Sequence, residues 1–169
     1  MQPLRTYDYL CLSRGKLLDR TRSLSPEQYA RRFEIGLGSL ARTLTHIMIC
    51  EWFYIQRLEE RPVPPYEQWP IQDEIPPPFS VIDEQWASQA QQTRASIAAV
   101  RDWSARIEYR SQGGPRPTII TATRADIFTQ LVLHEVHHRA QALNMLRHLG
   151  ATLEDIDFNA LMYTRRPAD

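Results

Sequence analysis

The sequence carries no excess charge of either sign: 20 Lys and Arg offset 20 Asp and Glu. A nucleic-acid-binding face normally shows as a basic excess. Here basic residues are scattered apart from Arg31-Arg32 and Arg165-Arg166, so no nucleic-acid partner is expected. Two cysteines, Cys11 and Cys50, are too few for a disulfide framework. The opening Met1-Gln2-Pro3-Leu4-Arg5 is not followed by the apolar segment of a secretory leader. Together these point to a cytoplasmic protein. Apolar runs never approach the ~20 residues that cross a bilayer, so no membrane partner is expected. There is no internal repeat, no glycine-rich phosphate loop, no G-x-S-x-G and no C-x-x-C pair. What remains is a chain of 169 residues, read as one domain over 1–169 and long enough to bury a core.

That chain is dominated by helical periodicity. Leu4, Tyr7, Leu10, Cys11, Leu17 and Leu18 make one apolar stripe from about Pro3 to Arg22. Ser25-Pro26-Glu27-Gln28 has the chemistry of a capping box with proline at the first helical position, and predicts a short helix to about Phe33-Glu34. A second long helix is expected from Ser39 to about Glu60, through Leu40, Leu44, Ile47, Met48, Phe53, Ile55 and Leu58. Between 61 and 79 all periodicity stops. Seven prolines (Pro62, Pro64, Pro65, Pro70, Pro76, Pro77 and Pro78) forbid an ordinary helix and most strand pairing. Tyr66, Trp69 and Phe79 would anchor this segment as an ordered loop, either a stiff crossover or a cover for a site. Ser80, with Asp83, is expected to cap a third helix running to about Trp103. Residues 106–110 and 117–123 look extended around Gly113-Gly114-Pro115, as in a short hairpin. Thr123 and Asp126 cap the last long helix, which should stop at Gly150. The tail suits a short helix packed on the rest. The fold class is therefore all-α: a four-helix bundle with a long Pro-rich crossover loop and a short β-hairpin before the last long helix.

Three of the five histidines fall within Leu133-His134-Glu135-Val136-His137-His138-Arg139-Ala140-Gln141. His134 and His138 are four apart and lie one turn above the other. On the helical wheel they sit within ~60° of a stripe containing Ile127, Leu131, Met145 and Leu149, at the edge of the core. His137 and His148 fall on the wetter side. Two imidazoles leave a metal site short, because zinc and similar metals take at least three protein ligands. The remaining histidine, His46, sits mid-helix on a face with Ser39, Arg42, Cys50, Phe53 and Arg57. Taken alone, His46 reads as a core histidine satisfied by its neighbours. Taken with the pair it reads as the third ligand, since three buried imidazoles without a common purpose would leave polar atoms unsatisfied at ~1–3 kcal/mol each. Three neutral imidazoles favour zinc or nickel, with iron or cobalt next, over magnesium or calcium. Glu51, Gln141 and Asn144 are candidates to brace the ring nitrogens that face away from the metal. Cys50, one turn after His46, can approach the site.

His134-Glu135-Val136-His137-His138 also spells H-E-x-x-H, in which the glutamate serves a metalloprotease as general base. No third-ligand pattern follows it. The isolated Leu44-Thr45-His46-Ile47, the long crossover and His134-Glu135-Val136-His137-His138-Arg139-Ala140-Gln141 together resemble the DinB/YfiT-like metal-binding four-helix bundles. The resemblance covers nearly the whole chain, with Ala140 where glycine is common. It implies metal ligands His46, His134 and His138. It also implies homodimers and, in members with an activity, a low-molecular-weight thiol acting on a small-molecule substrate in S-transfer or isomerisation. Under that expectation Arg139 or Arg42 would bind an anionic group. Two alternatives stand beside it: a non-catalytic, stress-related metal-binding module, and an H-E-x-x-H hydrolase.

Overall fold

In the computed structural model, which describes residues 2–111, 116–152 and 154–168, the periodic segments form four long helices. These are α1 (Pro3–Thr21), α3 (Leu40–Leu58), α4 (Phe79–Ala99) and α5 (Arg124–His148). Two short helices, α2 (Pro26–Ala30) and α6 (Phe158–Met162), flank them, and β1 (Arg106–Ser111) pairs antiparallel with β2 (Thr118–Thr123). Gly113-Gly114-Pro115, expected between the two strands, and Leu153 lie outside the described residues.

Local chemistry sets most of these boundaries. Both bonds of the Ser25–Gln28 capping box form, as do both bonds of the Thr123–Asp126 box. The Ser39 hydroxyl accepts from the Arg42 N–H at 3.1 Å and starts α3. Three expected boundaries are corrected. Ser80 does not cap α4. The helix begins two residues earlier than that cap implies, at Phe79, because the Pro76-Pro77-Pro78 run stays extended to its end and the Pro78 carbonyl takes the first helical bonds, from Val81 and Ile82. Asp83, freed from capping, accepts two bonds from the Arg22 guanidinium at 2.8 and 2.6 Å. At its other end α4 stops at Ala99 rather than Trp103. Val100 turns extended, the Asp102 carboxylate takes the Ser104 N–H, and Trp103 packs edge-on to Phe128. Finally, α2 ends at Ala30, short of Phe33, where Arg31 leaves helical geometry. The chain then turns through Gly36 and Gly38, both at positive φ.

In the bundle α3 packs on α5 and α4, and α1 packs on the same two helices, so α1 and α3 sit diagonally. The Pro-rich segment thus joins two neighbouring helices, and the hairpin carries the chain across the diagonal from α4 to α5. The tail returns through α6, where Phe158 packs on Tyr9 and the Met162 carbonyl accepts from Arg5.

The interior is not uniformly apolar. One apolar cluster gathers Leu17, Leu40, Leu44, Ile47, Trp86 and Met145; a second gathers Tyr7, Leu10, Ile55, Ile97, Phe128 and Leu131. Between them lies a buried ionic layer. Arg14 of α1 bonds Glu51 of α3 at 2.5 Å and Glu135 of α5 at 2.6 Å, with its guanidinium 4.2 Å from the Trp86 ring centroid. Glu51 also accepts from Tyr7, Thr93 and Trp86. Arg139 completes the layer on Glu135, Ser13 and Tyr9. Burial opposes the Arg14 charge, and the two carboxylates outweigh it, holding the guanidinium protonated. A buried charge is tolerated only when paired and hydrogen-bonded, and here every member has partners.

Candidate metal centre

Histidine has only average helix propensity, so the histidines of α3 and α5 are placed by tertiary packing. The α3–α5 contact brings His46 against the i, i+4 pair His134 and His138. Their rings are 4.9, 4.7 and 4.5 Å apart, centroid to centroid, and one nitrogen from each lies within 4.8 Å of the others. Among the described residues these three form the group of that kind. His46 Nε2 stands 3.1 Å from His134 Nε2. Two nitrogens bound ~2.0–2.1 Å from one tetrahedral zinc stand about 3.3 Å apart, so the spacing fits a shared cation.

Two of the outward-facing nitrogens are braced. His46 Nδ1 lies 3.1 Å from Asp73 Oδ2, and His138 Nδ1 lies 2.9 Å from Gln141 Oε1. Each brace holds the hydrogen on Nδ1 and leaves the Nε2 lone pair facing the centre. The Gln141 amide nitrogen also reaches His137 Nε2, at 3.0 Å. Gly36 makes room for this amide: at its φ of +48° a Cβ would fall 2.2 Å from Gln141 Oε1.

The surroundings favour the unprotonated form of two of the three imidazoles. Burial, then the neighbouring imidazoles, lowers the His134 pKa to about 3, so at neutral pH it is an unprotonated donor. Burial also lowers His138. For Asp73 burial works against ionisation, but hydrogen bonds from His46 and Tyr66 outweigh it and hold the carboxyl at about 2. Cys50 Sγ is 3.7 Å from His46 Nε2, and burial pushes its thiol up to about 12. Tyr54 walls the far side, edge-on to His134.

His137 is exposed and turned away from the shared point, as the wheel requires, and His148 is exposed beside Phe33. Of the expected braces only Gln141 serves. Glu51 is spent in the ionic layer, and Asn144 is exposed. Arg139 cannot receive an outside anion, because it is buried and bonded to Glu135, Ser13 and Tyr9. Glu135 is likewise turned into the core against Arg14, so H-E-x-x-H has no general base at the metal position. Asp73 was not foreseen in the sequence, and Tyr66 was expected there only as an apolar anchor. Their signal was an acidic residue inside a proline-rich segment with aromatic anchors, in a stretch where no periodicity says which way a side chain points.

Fold and site together define a helical bundle with a three-histidine group able to hold a divalent cation between its second and last long helices. The profile of the DinB family matches residues 1–168, and the chain belongs to that family. A comparison with curated proteins found no match.

Proposed function

We propose that this DinB-family protein is a metal-dependent enzyme whose divalent cation, zinc or nickel, is held by His46, His134 and His138. In this proposal it acts with a low-molecular-weight thiol, as an S-transferase or thiol-dependent isomerase. The observation that carries this is a convergent three-nitrogen donor set that still reaches solvent: the His46 side chain keeps 24% of its surface exposed. Three protein nitrogens with solvent access suit a catalytic site, whereas structural sites are closed by four protein ligands. The cation would supply the Lewis acidity that makes a bound thiol a thiolate at neutral pH. The protein's own residues do the rest. Asp73 and Gln141 fix which nitrogens of His46 and His138 point inward, and Tyr54 stands edge-on to His134. Among the described residues no carboxylate is spare at the centre, since Asp73 is engaged by His46 and Glu135 by the core. That favours chemistry in which the thiol, rather than a protein carboxylate, is the reacting group, and it removes support from the hydrolase alternative.

The test is conjugation of monochlorobimane to a small thiol by metal-loaded protein, compared with His134→Ala. The wild type is expected to conjugate and the variant to lose both bound metal and rate. Equal rates, with metal present in the wild type, would overturn the enzyme and leave the non-catalytic metal-binding module.

A further inference from the structure

We infer that Asp73 is a positioning residue for His46, and that the Pro-rich segment 61–78 is thereby a metal-linked strap. Its docking tightens the metal, and the metal completes its docking. This rests on the three-histidine proposal above.

The strap is built largely from itself. Tyr66–Gln68 makes one 3-10 turn. Trp69 Nε1 donates to the Pro64 carbonyl at 3.0 Å, Gln72 Nε2 donates to the Tyr66 and Glu67 carbonyls, and the Asp73 N–H donates to Tyr66 Oη at 3.1 Å. The Tyr66 hydroxyl in turn donates to Asp73 Oδ1. Toward the bundle the contacts are apolar, with Trp69 packed on Trp52 and Phe53. Among the described residues, the one side-chain hydrogen bond that ties 62–77 to a bundle helix is Asp73 to His46. Seven prolines stiffen the segment, so freeing or seating Asp73 moves a preformed unit.

The link follows from tautomerism. Asp73 needs the hydrogen on His46 Nδ1. Without a cation the Asp73 brace alone holds it there, and the competing tautomer with the hydrogen on Nε2, in which Nδ1 has nothing to donate, stays accessible. A cation on Nε2 removes that choice and locks the tautomer that Asp73 accepts. In return the carboxylate orients the ring and holds its Nε2 toward the cation. Coupling of this kind is reciprocal by thermodynamic necessity. Trp69, Pro70 and Ile71 of the strap also wall a cavity of about 250 Å³ against Met48, Ile49 and Trp52 of α3 and the polar Gln85–Gln92 face of α4, so docking shapes that space as well.

The experiment uses the full chain and zinc ion alone. Zinc affinity is measured by competition with a chromophoric chelator, and hydrogen exchange is followed in the peptide spanning 66–75, without and with zinc. In the wild type zinc should slow exchange there. Asp73→Asn keeps the shape but loses the charge. It should weaken zinc by ~10–100-fold and abolish the zinc-dependent protection, while the metal-free melting temperature stays near that of the wild type. Tyr66→Phe, which leaves Asp73 in place, should show a smaller loss of the same sign. If Asp73→Asn binds zinc like the wild type, or keeps the full protection, the strap is refuted and the three-histidine centre stands. Zinc-dependent protection that survives in His46→Ala refutes it too. A wild type that binds neither zinc nor, in the same competition assay, nickel overturns both.

Discussion

Glu135 follows His134 directly, and about 100° of helical rotation carries its carboxylate from the metal face into the ionic layer. There it meets Arg14 and Arg139, and removing one partner of a buried pair typically costs 3–5 kcal/mol. Because Glu51 still compensates Arg14, Glu135→Gln should lose about 3 kcal/mol, at the low end of that range, read as a shift of the urea midpoint. Metal stoichiometry should stay at the wild-type value. Unchanged stability with lost metal would instead return Glu135 to the centre. The H-E-x-x-H spelling could not reveal this, because a motif records spacing and not which neighbour has claimed the carboxylate. A signal was nonetheless present: Arg14, Glu51 and Glu135 each occupy positions where the apolar stripes of their helices call for a hydrophobic side chain.

At the level of elements, α5 supplies two of the three imidazoles and its start is defined by one box. The Thr123 hydroxyl accepts from the Asp126 N–H at 3.1 Å, and Asp126 accepts from the Thr123 N–H at 2.8 Å. Thr123→Ala should cost about 1 kcal/mol in chemical denaturation, and an unchanged midpoint would show that the cap is idle. The bonds from Thr123 lower the Asp126 pKa. Its contribution is therefore complete above the unfolded carboxyl pKa and fades as pH falls through the folded one. Elements of this kind were legible in sequence: stripes and caps foretold four helices, and the i, i+4 spacing put His134 and His138 on one face. Asp73 was not legible. Seven prolines erase the periodicity that would orient its side chain, and only folding sets it beside a histidine 27 positions earlier.

For the molecule as a whole, a cation held from both α3 and α5 bridges the helix pair and adds its binding free energy to folding. At a free concentration 100 times its dissociation constant, a ligand specific to the native state adds about 2.7 kcal/mol. For a chain of this size that corresponds to a melting temperature higher by roughly 5–11 °C. Stripping the metal with a chelator should reverse the shift in scanning calorimetry, and an unchanged transition would exclude a cation bridging the two helices.

The ionic layer also governs how the helices can be aligned lengthwise. An apolar seam tolerates slippage, because one leucine replaces another at similar cost. Sliding α1 by one turn, ~5.4 Å, would leave Glu51 and Glu135 facing Leu10 or Leu17 and Leu18 in place of Arg14. Glu51 would then be buried with no cation beside it, and Glu135 with Arg139 alone, at 3.5 Å, a state costlier than a loss of packing. Arg14 therefore acts as a key in a keyway. It admits one alignment of α1, α3 and α5, and that alignment also stations Glu135 inward and its neighbour His134 toward His46.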